Sequence, residues 1–418
     1  MTAIPKTSPA TAVVLPARPE EGRAFLGRVP WARRGVVRAR CTEIPSASRH
    51  AVHAYQGVNP WSADGSQLLY LGFEELGQAA SLVVRDMGSG RETRLAESLG
   101  YDFHTAASQR WVLRDSAVLF RTRNGTREPA LAMARVDRPG AAEVLHEFAG
   151  RMARHICADT RHAITASLRG VERLDLQART SEILVPMEEI MAALPAELKF
   201  PGQPFHIEHP ITSPDETRLF FKLGHRDPAR LYGSRNWGAF FAKNLARGGM
   251  RCFGNRISGH PSWMPDSRHI LNVMMPDDGS DNRWLVLMDV DTGSVERLMD
   301  LPIEGAGHPA VSPDGRWIAT DGYSVDGRSA PVYLVDLASG NVREIARIPH
   351  HILTAAELHY SWAKGGAVYD PSVIRRSHLH PVWSPDSRRL LVNCNHDGER
   401  MGLVLLEDFL GENPPGSE

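Results

Sequence analysis

Four histidines recur at one register in this chain. His209, His260, His308 and His380 each precede a proline, and each stands six residues before an aspartate: Asp215, Asp266, Asp314 and Asp386. Imidazole changes charge near neutral pH and is the commonest side-chain ligand for metals. Two more histidines lie close by, His206 near His209 and His378 beside His380. A single histidine before proline at a turn ordinarily does no more than hydrogen-bond the neighbouring backbone. Four at one register point to a shared site, if the fold brings them together. Three imidazoles suit manganese, zinc or iron, and spacing alone does not choose the metal.

The elements that must position them are legible as a repeat. The frame His-Pro-x-x-x-Pro-Asp leads each time into a short apolar strand. Weaker copies lie upstream at Trp61–Gly65, around Trp111–Ser116 and at His155–Asp159. Taking Asp64, Asp115, Asp159, Asp215, Asp266, Asp314 and Asp386 as anchors gives intervals of 51, 44, 56, 51, 48 and 72 residues. Within a unit, runs such as Trp317–Thr320, Val332–Asp336 and Val342–Ile345 are separated by Asp-Gly and Ser-Gly turns. β-Branched runs of this length with such turns read as an antiparallel meander. A four-stranded meander repeating about every fifty residues is the signature of a propeller blade. The expected fold is all-β: a seven-bladed β-propeller of four-stranded antiparallel blades. The last unit lacks residues for its outer strand, so the run Val36–Ile44 is expected to supply it and close the ring, removing open sheet edges.

In such a ring the innermost strand of each blade lines the central channel. The residue before that strand lies at its mouth. The four repeated histidines are therefore expected around one end of the channel.

The remaining sequence sets bounds. The chain has 418 residues and a formal net charge of −1. It carries no basic tract, which disfavours nucleic acid as a partner. Residues 1–30 read as a partly ordered arm, 31–410 as the propeller and 411–418 as a tail. Thr11–Leu15 is too short for the apolar core of a secretory signal, and no run approaches the roughly twenty apolar residues of a membrane span. A cytoplasmic protein is expected. Pro186–Leu198 has apolar residues at helical spacing and reads as a surface helix or lid. The insertion at 350–376, rich in His, Tyr and Trp, suits a loop over a binding face. No Gly-x-Ser-x-Gly elbow, phosphate loop or dinucleotide fingerprint is present. His53 and His104 share a register and read as structural. Cys394 and His396 offer an alternative zinc site with His308 or His380, although a buried structural cysteine is the more ordinary reading.

On Gly259-His260-Pro261-Ser262-Trp263-Met264-Pro265-Asp266, on His308 and on His378-Leu379-His380-Pro381, the sequence resembles the oligogalacturonate lyase family. These are cytoplasmic seven-bladed propellers that cleave short pectic uronides by β-elimination. The resemblance covers mainly residues 200–400. It implies metal binding by His308, His378 and His380, with manganese as the metal and zinc as the second choice. It implies that His260 is the base. The family's metal-binding glutamine, three residues before its His-x-His, is replaced here by Arg375. The His-Pro blades also resemble ulvan lyase propellers and, more loosely, the non-catalytic TolB-type propellers. The turn itself indicates fold, not function.

The implied reaction is a carbon–oxygen lyase acting on an acidic oligosaccharide. A lyase of this kind must neutralise the C6 carboxylate, remove the C5 proton and expel the 4-O-glycosidic oxygen. The metal is suited to the first task and neutral His260 to the second. Arg226 is the candidate carboxylate clamp, since guanidinium binds carboxylate through two parallel bonds. Arg256, His225, His209 and Arg375 are further candidates for substrate contact. The competing readings are a propeller that only binds a protein or a sugar, and a lyase-like pseudoenzyme.

Overall fold

The computed structural model describes residues 34–36, 38–75, 78–101, 105–123, 129–198, 205–225, 237–254, 257, 260–274, 283–301, 307–322, 328–350, 378–396 and 400–410. The arm at 1–30, the tail at 411–418 and nearly all of the insertion at 350–376 lie outside these residues.

Seven antiparallel sheets form blades 1 to 7, over residues 50–98, 110–144, 155–186, 205–252, 262–301, 310–349 and 382–407. The last has three strands of its own. Its fourth is Arg40–Glu43, which pairs antiparallel with Arg400–Glu407 and closes the ring as the sequence implied. One feature departs from the four-stranded plan. Arg34–Val36 adds a fifth strand to blade 6, parallel to Val342–Pro349.

The blades are buried on both faces, which explains their near-continuous apolar strands. In blade 1, Leu68 and Tyr70 pack against blade 7, while Leu69 and Leu71 pack against blade 2. One apolar cluster fills each of the seven blade interfaces. Pro186–Leu198 holds a helix, Met187–Ala193, and a 3-10 turn, Ala196–Leu198. It is not a lid over the channel. Ile190 and Leu194 are buried in the cluster between blades 3 and 4.

The repeated turn is a hydrogen-bonded unit. In blade 4 the Ser213 hydroxyl donates to Asp215 (2.6 Å), and the Asp215 carboxylate accepts the Thr217 amide (3.0 Å). Indole N–H groups tie neighbouring blades: Trp111 to the Pro60 carbonyl (2.9 Å), Trp263 to Ile211 (3.4 Å) and Trp383 to Ala310 (3.0 Å). Each acceptor lies four residues before the anchor of its own blade. Each donating Trp263 or Trp383 lies three before its anchor. By that rule Trp111 sets the blade 2 anchor at Arg114, one residue ahead of Asp115. The backbone agrees, because Ser108 (φ 49°) then shares its register with His209 (φ 51°) and His380 (φ 46°). The Arg114–Asp115–Ser116 turn is degenerate enough to hide this shift in the sequence.

No helix among the described residues is long and apolar enough to cross a membrane.

Candidate active site

The histidines converge because proline breaks the inner strand beside them. Pro210 has no N–H to offer the ladder. The pairing of Phe205–Thr212 with Arg218–His225 shifts between Glu208 and Ile211, and His209 takes up left-handed backbone there. His380 does the same before Pro381. The rings of His260 and His308 are 4.2 Å apart between centroids, and those of His308 and His380 4.4 Å. His378 joins them, 4.9 Å from His308.

His308, His378 and His380 are buried, and each offers a ring nitrogen within 4.8 Å of the others. Among the described residues this is the one group of three or more potential metal ligands. Behind it lies Asp321, fully enclosed at the end of the strand Trp317–Asp321. Its carboxylate accepts the His308 amide (2.6 Å), the His308 Nδ1–H (2.9 Å) and the His380 amide (3.2 Å). Burial alone would raise the Asp321 carboxyl, but the attraction of His308 and the hydrogen bonds from His308 and His380 hold it below its ordinary value. With Nδ1–H committed to Asp321, His308 turns the Nε2 lone pair toward His378, whose Nδ1 is 3.2 Å away. Two nitrogens each about 2.0–2.1 Å from one metal ion stand roughly 3 Å apart, so this spacing suits a shared ion. A carboxylate fixing the tautomer of a ligating histidine is a common supporting arrangement. The three residues fit a divalent cation.

His260 lies on the flank of this group. Its Nδ1 is 3.2 Å from the Gly307 carbonyl oxygen, which can only accept. Nδ1 therefore carries the proton, and Nε2 is the basic nitrogen. Gly307 is required here, since a Cβ would meet Thr320 Oγ1 at 2.1 Å.

Tyr55, in the loop after the first strand of blade 1, stands at the centre of the ring. Its ring centroid is 4.8 Å from His380, 5.9 Å from His209, 6.3 Å from His308 and 6.5 Å from His260. The neighbouring Gln56 crosses the channel and donates to the Pro309 carbonyl (3.1 Å). Sequence reasoning missed both. The pair His53–Tyr55 near the channel was the available signal, but blade 1 carries no His-Pro frame. Asp321 was missed as well, as a lone acid ending an apolar strand.

His209 joins the ring through Tyr55, and burial pushes it down to about 4. On its strand, Glu208 pairs with His206 (2.7 Å) and Lys222 (2.9 Å). Burial would raise Glu208, but the His206 hydrogen bond and the Lys222 charge hold it well below the usual carboxylate range. His53 packs its ring edge-on to His380 at 6.4 Å and is pushed by burial to about 4. The alternative zinc site does not form among the described residues. Cys394 packs in the core between blades 6 and 7, 3.4 Å from His396 Nε2, and burial pushes its thiol up to about 12. Arg226, Arg256, Arg375 and His104 lie outside the described residues, as does the side chain of His225.

On the turn side of Gln56 the channel holds a cavity of about 350 Å³, lined by Gly57, His155, Pro261, Trp263, Pro381 and Trp383 among others.

No family model and no curated protein matches the sequence. Solved structures do. The chain is similar to an oligogalacturonate lyase in complex with manganese, with a TM-score of 0.60 and 17% identity, covering 89% of this chain and 98% of that one. It is similar to an oligogalacturonate lyase from Vibrio parahaemolyticus, with a TM-score of 0.60 and 14% identity, covering 88% and 93%. The β-propeller domain of the trilobed protease from Pyrococcus furiosus gives a TM-score of 0.50 and 11% identity, covering 87% and 100%. At these identities the likeness shows a shared fold. The seven-bladed ring that the family resemblance implied is thus met.

Proposed function

We propose that this chain is a metal-assisted carbon–oxygen lyase that cleaves uronic-acid-containing oligosaccharides, oligogalacturonate-like, by β-elimination. The observation that carries the reading is the buried triad His308, His378 and His380, braced by Asp321, directly beside a histidine whose tautomer is set for a base. A divalent cation bound there, manganese first and zinc second, would supply Lewis acidity toward the substrate's C6 carboxylate.

The rest is work for side chains. The C5 proton is weakly acidic because it lies α to that carboxylate. His260 Nε2 takes this proton. The electron pair forms the C4–C5 double bond, and the C4–oxygen bond breaks. The leaving oxygen needs a proton, and Tyr55, within 6.5 Å of all four repeated histidines, is the candidate donor. His209 and Arg226 are assigned to the substrate, with Arg256, His225 and Arg375 as further contacts. The partner is an acidic oligosaccharide, met in the cytoplasm.

The test is ultraviolet detection of the unsaturated product from oligogalacturonate, ulvan fragments and glycosaminoglycan pieces, with and without added manganese. Metal-dependent product from one of them, lost in His260→Ala, is the expected result. No product from any, with no metal retained by the purified protein, would leave a propeller that only binds its ligand.

A further inference from the structure

The 350 Å³ cavity on the turn side of Gln56 takes its wall from blades 3 to 7 and from residues 56–59 of the blade 1 loop. No Asp, Glu, Lys or Arg of the described residues lines it. The one titratable group on the wall, His155, is pushed by burial and then by the Arg110 charge down to about 3, so it is neutral near pH 7. A charged ligand would find no counter-charge on this wall, and enclosing an unpaired charge is costly. The wall therefore suits an uncharged ligand. Five prolines, Trp263 and Trp383 give it apolar surface. The two indole N–H groups are already committed to the Ile211 and Ala310 carbonyls, so these rings offer a ligand no donor.

Polar groups with spare hydrogen-bonding capacity stand at separate points around this wall. Gln56 donates to the Pro309 carbonyl (3.1 Å), and its amide oxygen accepts no bond among the described residues. Asn59 accepts the Trp61 amide (3.0 Å), and its amide nitrogen donates to no described residue. The His155 ring and the Ser262 hydroxyl make no hydrogen bond among the described residues. His155 and Ser262 each lie four residues before the anchor of their blade, so blades 3 and 5 present them at one depth, with Asn59 added from blade 1. Neutral polar groups spread around an axis, with proline and indole between them, match a ring that carries hydroxyls on its rim and C–H bonds on its faces. Ligand cavities run from about 300 to 1,000 Å³, and this one is at the small end, suited to one ring rather than a chain. We infer that the turn side of the channel is a second ligand site, which binds a single uncharged pyranose through Gln56, Asn59, His155 and Ser262. It stands on the cavity wall and does not require the lyase reading.

The probes are galactose, glucose, mannose and xylose, monosaccharides with no glycosidic bond to cleave. Calorimetric titration and ligand-detected NMR would be run on the wild type with a chelator and again with manganese. At least one of the four should bind with a Kd of about 1–10 mM, as expected for a single small ring. The affinity should be the same with chelator and with manganese, because Gln56 lies between the cavity and the histidine triad. Galacturonate and glucosamine, which add a charge to the same ring, should not displace the bound sugar. Ala310→Phe, which fills the cavity, should abolish binding. His155→Phe keeps a ring and removes its polar atoms, and should weaken binding by about fivefold, the loss of one hydrogen bond. If Ala310→Phe proves unfolded by its Tm, His155→Phe and Ser262→Ala decide. No binding of any of the four sugars would overturn the inference, as would undiminished binding in the folded variants. Binding that disappears with the chelator would move the sugar to the triad and overturn the second site. Displacement by galacturonate or glucosamine would overturn the uncharged ligand, and displacement by a capped proline tripeptide at lower concentration would overturn the sugar. Because the readout is binding, a protein that cleaves no uronide can still pass this test.

Discussion

Asp321 holds His308 at two points, accepting its backbone amide at 2.6 Å and its Nδ1–H at 2.9 Å. The same carboxylate takes the His380 amide. One acid thus sets the position of one candidate ligand, the tautomer of that ligand and the backbone of another. Replacing it with asparagine keeps the shape and removes the charge. Asp321→Asn should weaken manganese or zinc binding by about 10- to 100-fold, the usual effect of losing such a supporting group. Metal titration by calorimetry checks this without reference to turnover. Unchanged affinity would mean that the triad does not hold the metal.

The candidate base rests on a glycine. The Gly307 carbonyl fixes the His260 tautomer, and a methyl group at Gly307 would strike Thr320. His260→Ala should lower kcat by about 10²- to 10⁴-fold, the range for losing a general base. Gly307→Ala should also lower kcat, through a displaced carbonyl. Metal content should stay at the wild-type level in His260→Ala. Full activity in His260→Ala would remove it from the role of base.

Tyr55 separates two roles that ring contacts alone do not. Its phenol is the candidate proton donor, and its ring also wedges the histidines apart. Tyr55→Phe keeps the wedge and loses the proton. It should lower kcat by about 10²-fold or more with little change in KM. Tyr55→Ala should in addition lower the Tm. If Tyr55→Phe turns over like the wild type, the leaving oxygen is protonated from elsewhere.

His155 makes the protein sensitive to acid. It is held near 3 by burial and by Arg110, whereas the unfolded chain titrates near the ordinary value of about 6.5. As pH falls below about 6.5 the unfolded state takes up this proton before the folded state does. The contribution to stability is therefore whole above 6.5 and is lost progressively toward 3, at up to about 1.4 kcal/mol per pH unit. His155→Gln should flatten the fall of Tm across that window. Arg110→Met should raise the midpoint of His155, followed by NMR of the imidazole. A midpoint that does not move would show that the two groups are not coupled.

The ring and its histidines were legible because they repeat. The His-Pro frame marks the inner strands of blades 4 to 7, and the turn aspartate marks the hairpin of every blade but the second. What escaped is what acts across blades rather than along the chain. Asp321 lies seven residues after its anchor, on the second strand. The same place holds Arg121, Lys222 and Asn393 in blades 2, 4 and 7. Arg121 donates to the Ala106 carbonyl (2.9 Å) and Asn393 to that of His378 (3.3 Å), so this position serves the loop that enters the inner strand. The residue type differs in each blade, and no sequence repeat reveals it. Tyr55 escaped for a related reason, since it reaches the histidines from the opposite side of the channel.

Ring closure gives the last prediction. A ladder of backbone hydrogen bonds holds Arg40–Glu43 against Arg400–Glu407, with side-chain ion pairs beside it: Arg40 with Glu407, and the pair of Glu43 with Arg400. The pair is open to water, with the side chains 37% and 43% exposed. Exposed pairs contribute less than about 1 kcal/mol. Glu43→Ala should therefore shift the Tm only slightly. Deleting residues 1–43 removes the outer strand of blade 7 and the added strand of blade 6 together. It leaves the edge of Arg400–Glu407 unpaired, and an unpaired edge both loses its ladder and recruits other chains. The truncated protein should melt at much lower temperature, or without a cooperative transition, and should aggregate on sizing. If it melts like the full chain, the closure is not what holds the ring.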